Sequence, residues 1–294
     1  MKISSLIDSI DSKLKFSFEF FPPKDQQAFD NFLREFNFFF ELSPTFVSIT
    51  YGAGGSTKEK TFEAVKYINS NFNVPVMPHL TALTHTEEEI YNLLSDYAEI
   101  GIENVFTLRG DIPKYLEGKF DLSKARFKNA LEFIKFINDK FPNKFCIATS
   151  SYPEGFPEFN NIEKEIEYLK EKLDSGADFS ITQMFFDNSY YLNFIEKCQK
   201  KGINKPIIPG IMPITNISTI INFAQKVGTK IPKTIVEKFE NKITPEDQEK
   251  VGIEIAYNQI QELHQNGIKI FHIYTLNRKN ITGTLTSLIK NLSS

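Results

Sequence analysis

Eight short β-rich runs recur along the chain, each followed by a stretch with helical periodicity, and this alternation constrains the fold more than any other feature. The runs span 15–21, 45–51, 74–82, 103–108, 145–151, 179–186, 206–212 and 270–276. Strand followed by helix, eight times over, predicts an α/β fold: a (β/α)8 TIM barrel with a parallel sheet inside and helices outside. Such barrels carry their chemistry at the C-terminal strand ends. At or just past those ends stand Glu19, Thr50, Tyr51, His79, Thr81, Arg109, Asp111, Tyr152, Gln183, Pro213, Asn277 and Arg278. A polar set in these positions predicts one shared site at one mouth.

The helical stretches have the single apolar side that an outer layer requires. Ile90, Leu93, Leu94 and Tyr97 share a face, behind a capping-box pattern of Thr86 and Glu89. Ile162, Ile166, Leu169 and Leu173 repeat the stripe, as do Ile217, Ile220, Ile221 and Ala224. Before the eighth strand the chain makes an excursion over 228–267, punctuated by Pro232 and Pro245, with Ile253, Ala256, Ile260 and Leu263 marking a long helix. The excursion is too short for an independent core and reads as a helical insertion. The 294 residues are therefore expected to form a single domain, 1–294, near the size of about 250 residues typical of such barrels.

The net charge of −3, with both signs interspersed, argues against a nucleic-acid partner. No run approaches the length of a membrane span, and the first 15 residues carry acidic side chains without the sustained apolar core of a secretory signal. Cys146 and Cys198 give no disulfide framework, and Cys198 falls on the stripe Tyr191, Phe194, Ile195, as a buried structural thiol would. A reducing, cytoplasmic location fits. The four histidines show no metal-ligand spacing, so no metal is expected.

In the first strand Phe18 and Phe20 should face one side and Ser17 and Glu19 the other. A carboxylate facing the mouth among aromatic residues should be partly desolvated, which favours the protonated form that a general acid needs. A Glu paired with a nearby Lys or Arg is the plainer alternative. Leu108-Arg109-Gly110-Asp111 sets a cation, a permissive backbone and an anion at the fourth strand end, and a simple turn with a local Arg–Asp pair is its alternative. No Gly-x-Gly-x-x-Gly follows a strand, and Gly52-Ala53-Gly54-Gly55 lacks the ending of a phosphate-binding loop.

Taken together, the segments Phe18-Glu19-Phe20-Phe21-Pro22-Pro23, Thr50-Tyr51-Gly52-Ala53-Gly54-Gly55-Ser56, Pro78-His79-Leu80-Thr81, Leu108-Arg109-Gly110-Asp111, Tyr152-Pro153-Glu154, Ile181-Thr182-Gln183, Ile208-Pro209-Gly210-Ile211 and Tyr274-Thr275-Leu276-Asn277-Arg278 closely resemble methylenetetrahydrofolate reductases. They occur in family order and cover essentially the whole chain. The resemblance implies a flavoprotein barrel that binds FAD without a Rossmann domain and reduces 5,10-methylenetetrahydrofolate to 5-methyltetrahydrofolate, feeding methionine synthesis. NADH or NADPH would reduce the flavin and leave before folate enters. Glu19 is then the implied general acid, and Asp111 the charge that orients the pterin and stabilises its cation. Thr50, Tyr51, Ala53, His79, Arg109, Gly110, Asp111, Tyr152, Glu165, Tyr168 and Lys172 are implied FAD contacts. Gln183, Thr219, Phe223 and Arg278 are implied contacts of the two alternating substrates, although a helical Phe such as Phe223 is also an ordinary core residue. The resemblance further implies dimers or tetramers, and with the sequence ending at Ser294 the C-terminal regulatory domain of eukaryotic relatives is not expected.

Three departures from the family pattern stand out: Phe156 where many members have His, Thr219 where Gln is frequent, and the acidic Glu171 beside Lys172. The first changes or removes one flavin contact. Two other readings stay open on sequence: a different flavin barrel, of the proline-dehydrogenase kind, and a pterin-binding barrel that has lost catalysis.

Overall fold

The computed structural model describes residues 1–10, 13–52, 58–159, 161–241 and 244–293. Its strands are all parallel: β1 (Lys15–Phe20), β2 (Val47–Ile49), β3 (Val76–Thr81), β4 (Asn104–Leu108), β5 (Cys146–Ser151), β6 (Phe179–Thr182), β7 (Ile207–Ile208), β8 (Gly210–Ile211) and β9 (Ile270–Tyr274). Hydrogen bonding follows the order β7-β6-β5-β4-β3-β2-β1-β9-β8. The two ends of this order are halves of one extended run, separated by Pro209 alone, and the barrel closes through that run. The seventh run was expected as one strand over 206–212 and is instead two. Proline has no N–H to give to a ladder, and the Pro209 carbonyl accepts from the His272 amide at 2.9 Å. The sixth run is shorter than expected and leaves the sheet after Thr182.

Around the strands lie α1 (Ile3–Asp8), α2 (Gln26–Glu41), α3 (Lys58–Asn71), α4 (Glu87–Glu99), α5 (Ala130–Lys140), α6 (Ile162–Asp174), α7 (Asn188–Lys200), α8 (Ile217–Val227), α9 (Lys233–Lys238), α10 (Pro245–Gln265) and α11 (Lys279–Lys290). The stripe on α4 is buried as expected, and its capping box forms. The excursion over 228–267 holds α9 and α10, with Pro232 capping the first and Pro245 opening the second behind the Thr244 cap.

Alternation along the strands separates two cores. Phe18 and Phe20 point outward onto α2, where Phe20 meets Phe39 at 4.8 Å and Phe36 at 5.5 Å between ring centroids. Inside the N-terminal end of the barrel, Ile3 and Ile7 of α1 pack on Phe46, Met77, Phe106 and Phe179. Asn104 fixes that plug by accepting from the Ile3 amide and donating to the Met1 carbonyl. One end of the barrel is thus filled with apolar side chains, which leaves the C-terminal end for chemistry. Among the described residues no helix is long and apolar enough to cross a membrane.

Candidate active site

The alternation that sends Phe18 and Phe20 outward turns Ser17 and Glu19 into the barrel, in register with His272 and Tyr274 of β9. Glu19 Oε2 lies 3.4 Å from His79 Nε2 and 3.6 Å from His272 Nε2, and about a fifth of the Glu19 side chain (21 %) remains exposed toward the opening. The phenylalanines next to Glu19 in sequence are on the other face of the strand, so its surroundings are imidazoles and a phenol rather than the aromatic hydrocarbon expected. His272 is fully buried, with Nδ1 2.7 Å from Ser17 Oγ and Nε2 3.3 Å from Ser48 Oγ. His79 stacks on Phe106 at 4.5 Å. Burial pulls His79 down to about 4, against the opposing pull of Glu19 and with a further push from His272. His79 is therefore neutral at neutral pH, and its Nε2 has no hydrogen-bond partner among the described residues. Tyr274 donates to the Thr182 carbonyl at 2.6 Å, and burial, with Glu19 beside it, holds its phenol well above the usual range.

The turn after β9 fixes the end of β1. Thr275 Oγ1 donates to the Glu19 carbonyl at 2.6 Å, while the Asn277 amide side chain accepts from Phe21 N at 3.2 Å and donates to Phe21 O at 2.7 Å. Leu276 and Asn277 both take left-handed backbone angles, φ 51° and 55°, to make these contacts.

At the fourth strand end Arg109 is half-buried, and its guanidinium grips the Glu158 carboxylate with two bonds of 2.8 and 2.6 Å. The Arg109–Asp111 turn pair is thus not the main contact of this arginine, whose charge is stabilised first by Glu158 and only further down by Asp111. Gly110 has φ 87°, and a Cβ there would come within 2.6 Å of Thr81 Cβ. Asp111 is exposed.

The β5 end is held by α6. Glu165 Oε1 accepts from the Tyr152 amide at 3.2 Å, and Lys172 Nζ donates to the Ser150 carbonyl at 2.5 Å, so the pair grips the backbone on both sides of Ser151. Both residues are buried rather than turned to the opening. Burial pushes the Glu165 carboxyl up to about 7, opposed by Lys172, and burial also lowers Lys172. Lys172 Nζ sits 4.7 Å over the Tyr168 ring, and Tyr168 OH accepts from Leu131 N. Phe156, the departure from the family pattern, packs on Tyr152 at 4.8 Å and Phe159 at 5.3 Å, with Arg109 over its ring at 5.7 Å.

The second strand end brings Tyr51 OH to 3.2 Å from His85 Nε2, and the Thr50 carbonyl accepts from Thr61. Ala53 lies outside the described residues. Gln183 stands at the sixth strand end with its own Oε1 accepting from Met184 N. Thr219 and Phe223 are exposed on α8, Phe223 by 40 %, so Phe223 is not a core residue. Arg278 is exposed at the N-terminus of α11, and its guanidinium makes no hydrogen bond or ion pair with the described residues. Glu19 and His79 are thus in direct contact, Arg109 and Tyr152 both meet Phe156, and Thr219, Phe223 and Arg278 are exposed. Sequence reasoning missed His272 and Tyr274 as neighbours of Glu19. Alternation along the eighth run was the available signal, but their pairing with β1 depends on register across 255 residues.

A family model described as methylenetetrahydrofolate reductase matches residues 2–290. Methylenetetrahydrofolate reductase (NADH) 1 of Arabidopsis thaliana is 35% identical over 301 residues, covering 98% of this chain and 51% of the plant protein. The 5,10-methylenetetrahydrofolate reductase of Escherichia coli is 32% identical over 281 residues, covering 95% of this chain and 92% of the bacterial one. The chain therefore spans about half the length of the plant relative and most of the bacterial one. Among solved structures, a Clostridium thermocellum protein described as binding two copies of 5-methyl-5,6,7,8-tetrahydrofolic acid shares the fold, with a TM-score of 0.68 at 15% identity over 96% of each chain.

Proposed function

The chain belongs to the methylenetetrahydrofolate reductase family, and from that premise we propose that it reduces 5,10-methylenetetrahydrofolate to 5-methyltetrahydrofolate with FAD as cofactor and NADH or NADPH as donor. The observation that carries this reading is the setting of Glu19: a partly exposed carboxyl at the mouth, facing a His79 that stays neutral. Glu19 delivers a proton to the ring nitrogen of the folate whose bond to the methylene carbon breaks. The iminium carbon so exposed then accepts hydride. Asp111, exposed beside the mouth, offers a negative charge to the pterin's donors and to that cation. Gln183 contacts the pterin, and the unengaged guanidinium of Arg278 suits a carboxylate of the folate tail. Thr219 and Phe223 meet the nicotinamide donor and folate in turn.

The donor set fits a flavin. Arg109 already holds a carboxylate in the two-pronged geometry that a phosphate also accepts, and His79 Nε2 is a buried polar atom without a hydrogen-bond partner among the described residues. Thr50, Tyr51, His79, Arg109, Gly110, Asp111 and Tyr152 would hold the cofactor, with Ala53 beside them in sequence. Glu165 and Lys172 act by fixing the backbone that carries Tyr152, and Tyr168 covers the Lys172 ammonium. FAD, when bound, supplies the hydride relay between the two substrates. Phe156 contributes ring contacts in place of the hydrogen bond an imidazole would make.

The test is the visible spectrum of the purified protein, recorded anaerobically before and after NADH and again after methylenetetrahydrofolate. A flavin band that bleaches and then returns is the expected result. A colourless protein, or one bleached by NADH and not reoxidised by the folate, would contradict the proposal.

A further inference from the structure

Helix α8 has a narrow footing. Ile220 and Ala224 are its buried residues, while Ser218, Thr219, Asn222, Phe223, Gln225 and Lys226 are exposed. What holds it in place lies largely at its ends. At the N-terminal end the Ile217 amide donates to Gln248 of α10 at 3.0 Å. At the other end the helix stops at Gly228, φ 75°, where a Cβ would come within 2.7 Å of Pro157 Cγ. Thr229 Oγ1 donates to the Met184 carbonyl at 2.9 Å, which ties the same end to the segment after β6.

The next residue makes the contact that the functional reading leaves without a role. Both oxygens of Glu154, in the loop after β5, accept from the Lys230 amide, at 3.0 and 3.2 Å. The Lys230 ammonium is turned away, to the Tyr190 hydroxyl at 3.3 Å and over its ring, so the carboxylate binds backbone and not the lysine charge. Glu154 is half-buried, and burial pushes its carboxyl up to about 7, with the Lys230 amide and charge opposing and Asp187 adding to the rise. A partly desolvated carboxylate receiving a peptide N–H makes a stronger hydrogen bond than one in water.

We propose that Glu154 is a positioning residue: it latches the C-terminal end of α8, which carries Thr219 and Phe223, onto the loop that carries Tyr152 and Phe156. Glu154 then helps to set α8 relative to that loop while touching neither substrate. The latch itself stands on the geometry above; its kinetic consequence rests on the proposed role of α8 in substrate binding.

Backbone hydrogen exchange in the full-length protein separates the two, using Glu154→Ala and Glu154→Gln. Loss of one charge-assisted bond should speed exchange at Lys230 and the last turn of α8 about tenfold in Glu154→Ala. Glu154→Gln, which keeps an acceptor oxygen, should restore most of the protection, and exchange in α4 should be unchanged in both. In steady state Glu154→Ala should raise the KM for NADH by about fivefold and leave kcat within about twofold, the signature of lost binding without lost chemistry. Unchanged exchange at Lys230 and α8, or a uniform increase over the whole barrel, would overturn the latch. Local loosening with an unchanged KM would keep the latch and instead remove α8 from the substrate site.

Discussion

His79 and Glu19 stand 3.4 Å apart, yet burial outweighs the carboxylate and leaves the imidazole neutral, with its folded-state value pulled down from 6.5 to about 4. A depressed value means that the fold prefers the neutral ring. The stability this contributes is present above about 6.5 and is lost as pH falls through about 4. Glu154, raised by burial to about 7, works in the opposite sense: its contribution is full below the ordinary carboxylate value of 4.5 and is lost as pH rises through about 7. Thermal midpoints measured from pH 4 to 6.5 should therefore fall more steeply on the acid side in the wild-type protein than in His79→Gln. Parallel curves would show that His79 is not the group responsible. Strand alternation made Glu19 and Ser17 legible as inward-facing residues. The partners of Glu19 were not legible, because His79 and His272 reach it only once three distant strands are in register.

At the scale of elements, the eight expected strand runs are all present, and the differences have local causes. Pro209 divides the seventh run, and the sixth ends at Thr182, the Gln183 amide giving a last bond to the Ser151 carbonyl at 2.7 Å. Apolar stripes placed α4, α6 and α10, and a capping box marked the start of α4, because each helix buries one face and these signals are near in sequence. The turn after β9 could not be read this way, since its role is to hold a strand at the other end of the chain. Asn277 makes two bonds to the Phe21 backbone from a left-handed conformation, so Asn277→Ala loses both bonds and adds backbone strain. A cost of about 2 kcal/mol is expected. Asn277→Gly loses the bonds without the strain and should be about 1 kcal/mol less damaging. Denaturant titration of the three proteins checks the order; equal stability of the Ala and Gly variants would mean that the left-handed turn is not maintained.

For the molecule as a whole, one end of the barrel is plugged by α1 and the other carries Glu19 and His79, so under the proposed function substrate and cofactor would share one mouth. Sharing of that kind suits a reaction in two halves, with one partner leaving before the next arrives. The eight strand-end motifs were legible in sequence because each is a short stretch next to its own strand. That Glu19 meets His79 and His272, and that Phe223 is exposed rather than packed in the core, appears only when the strands and helices are placed. As proton donor to the folate, Glu19 would serve the folate half alone, and stopped-flow measurement of each half-reaction in Glu19→Gln separates the two. Flavin reduction by NADH should proceed within about twofold of wild type, while reoxidation by methylenetetrahydrofolate should slow by about 100- to 10,000-fold, the range of general acid catalysis. Equal slowing of both halves would contradict the claim and make Glu19 a structural residue of the mouth.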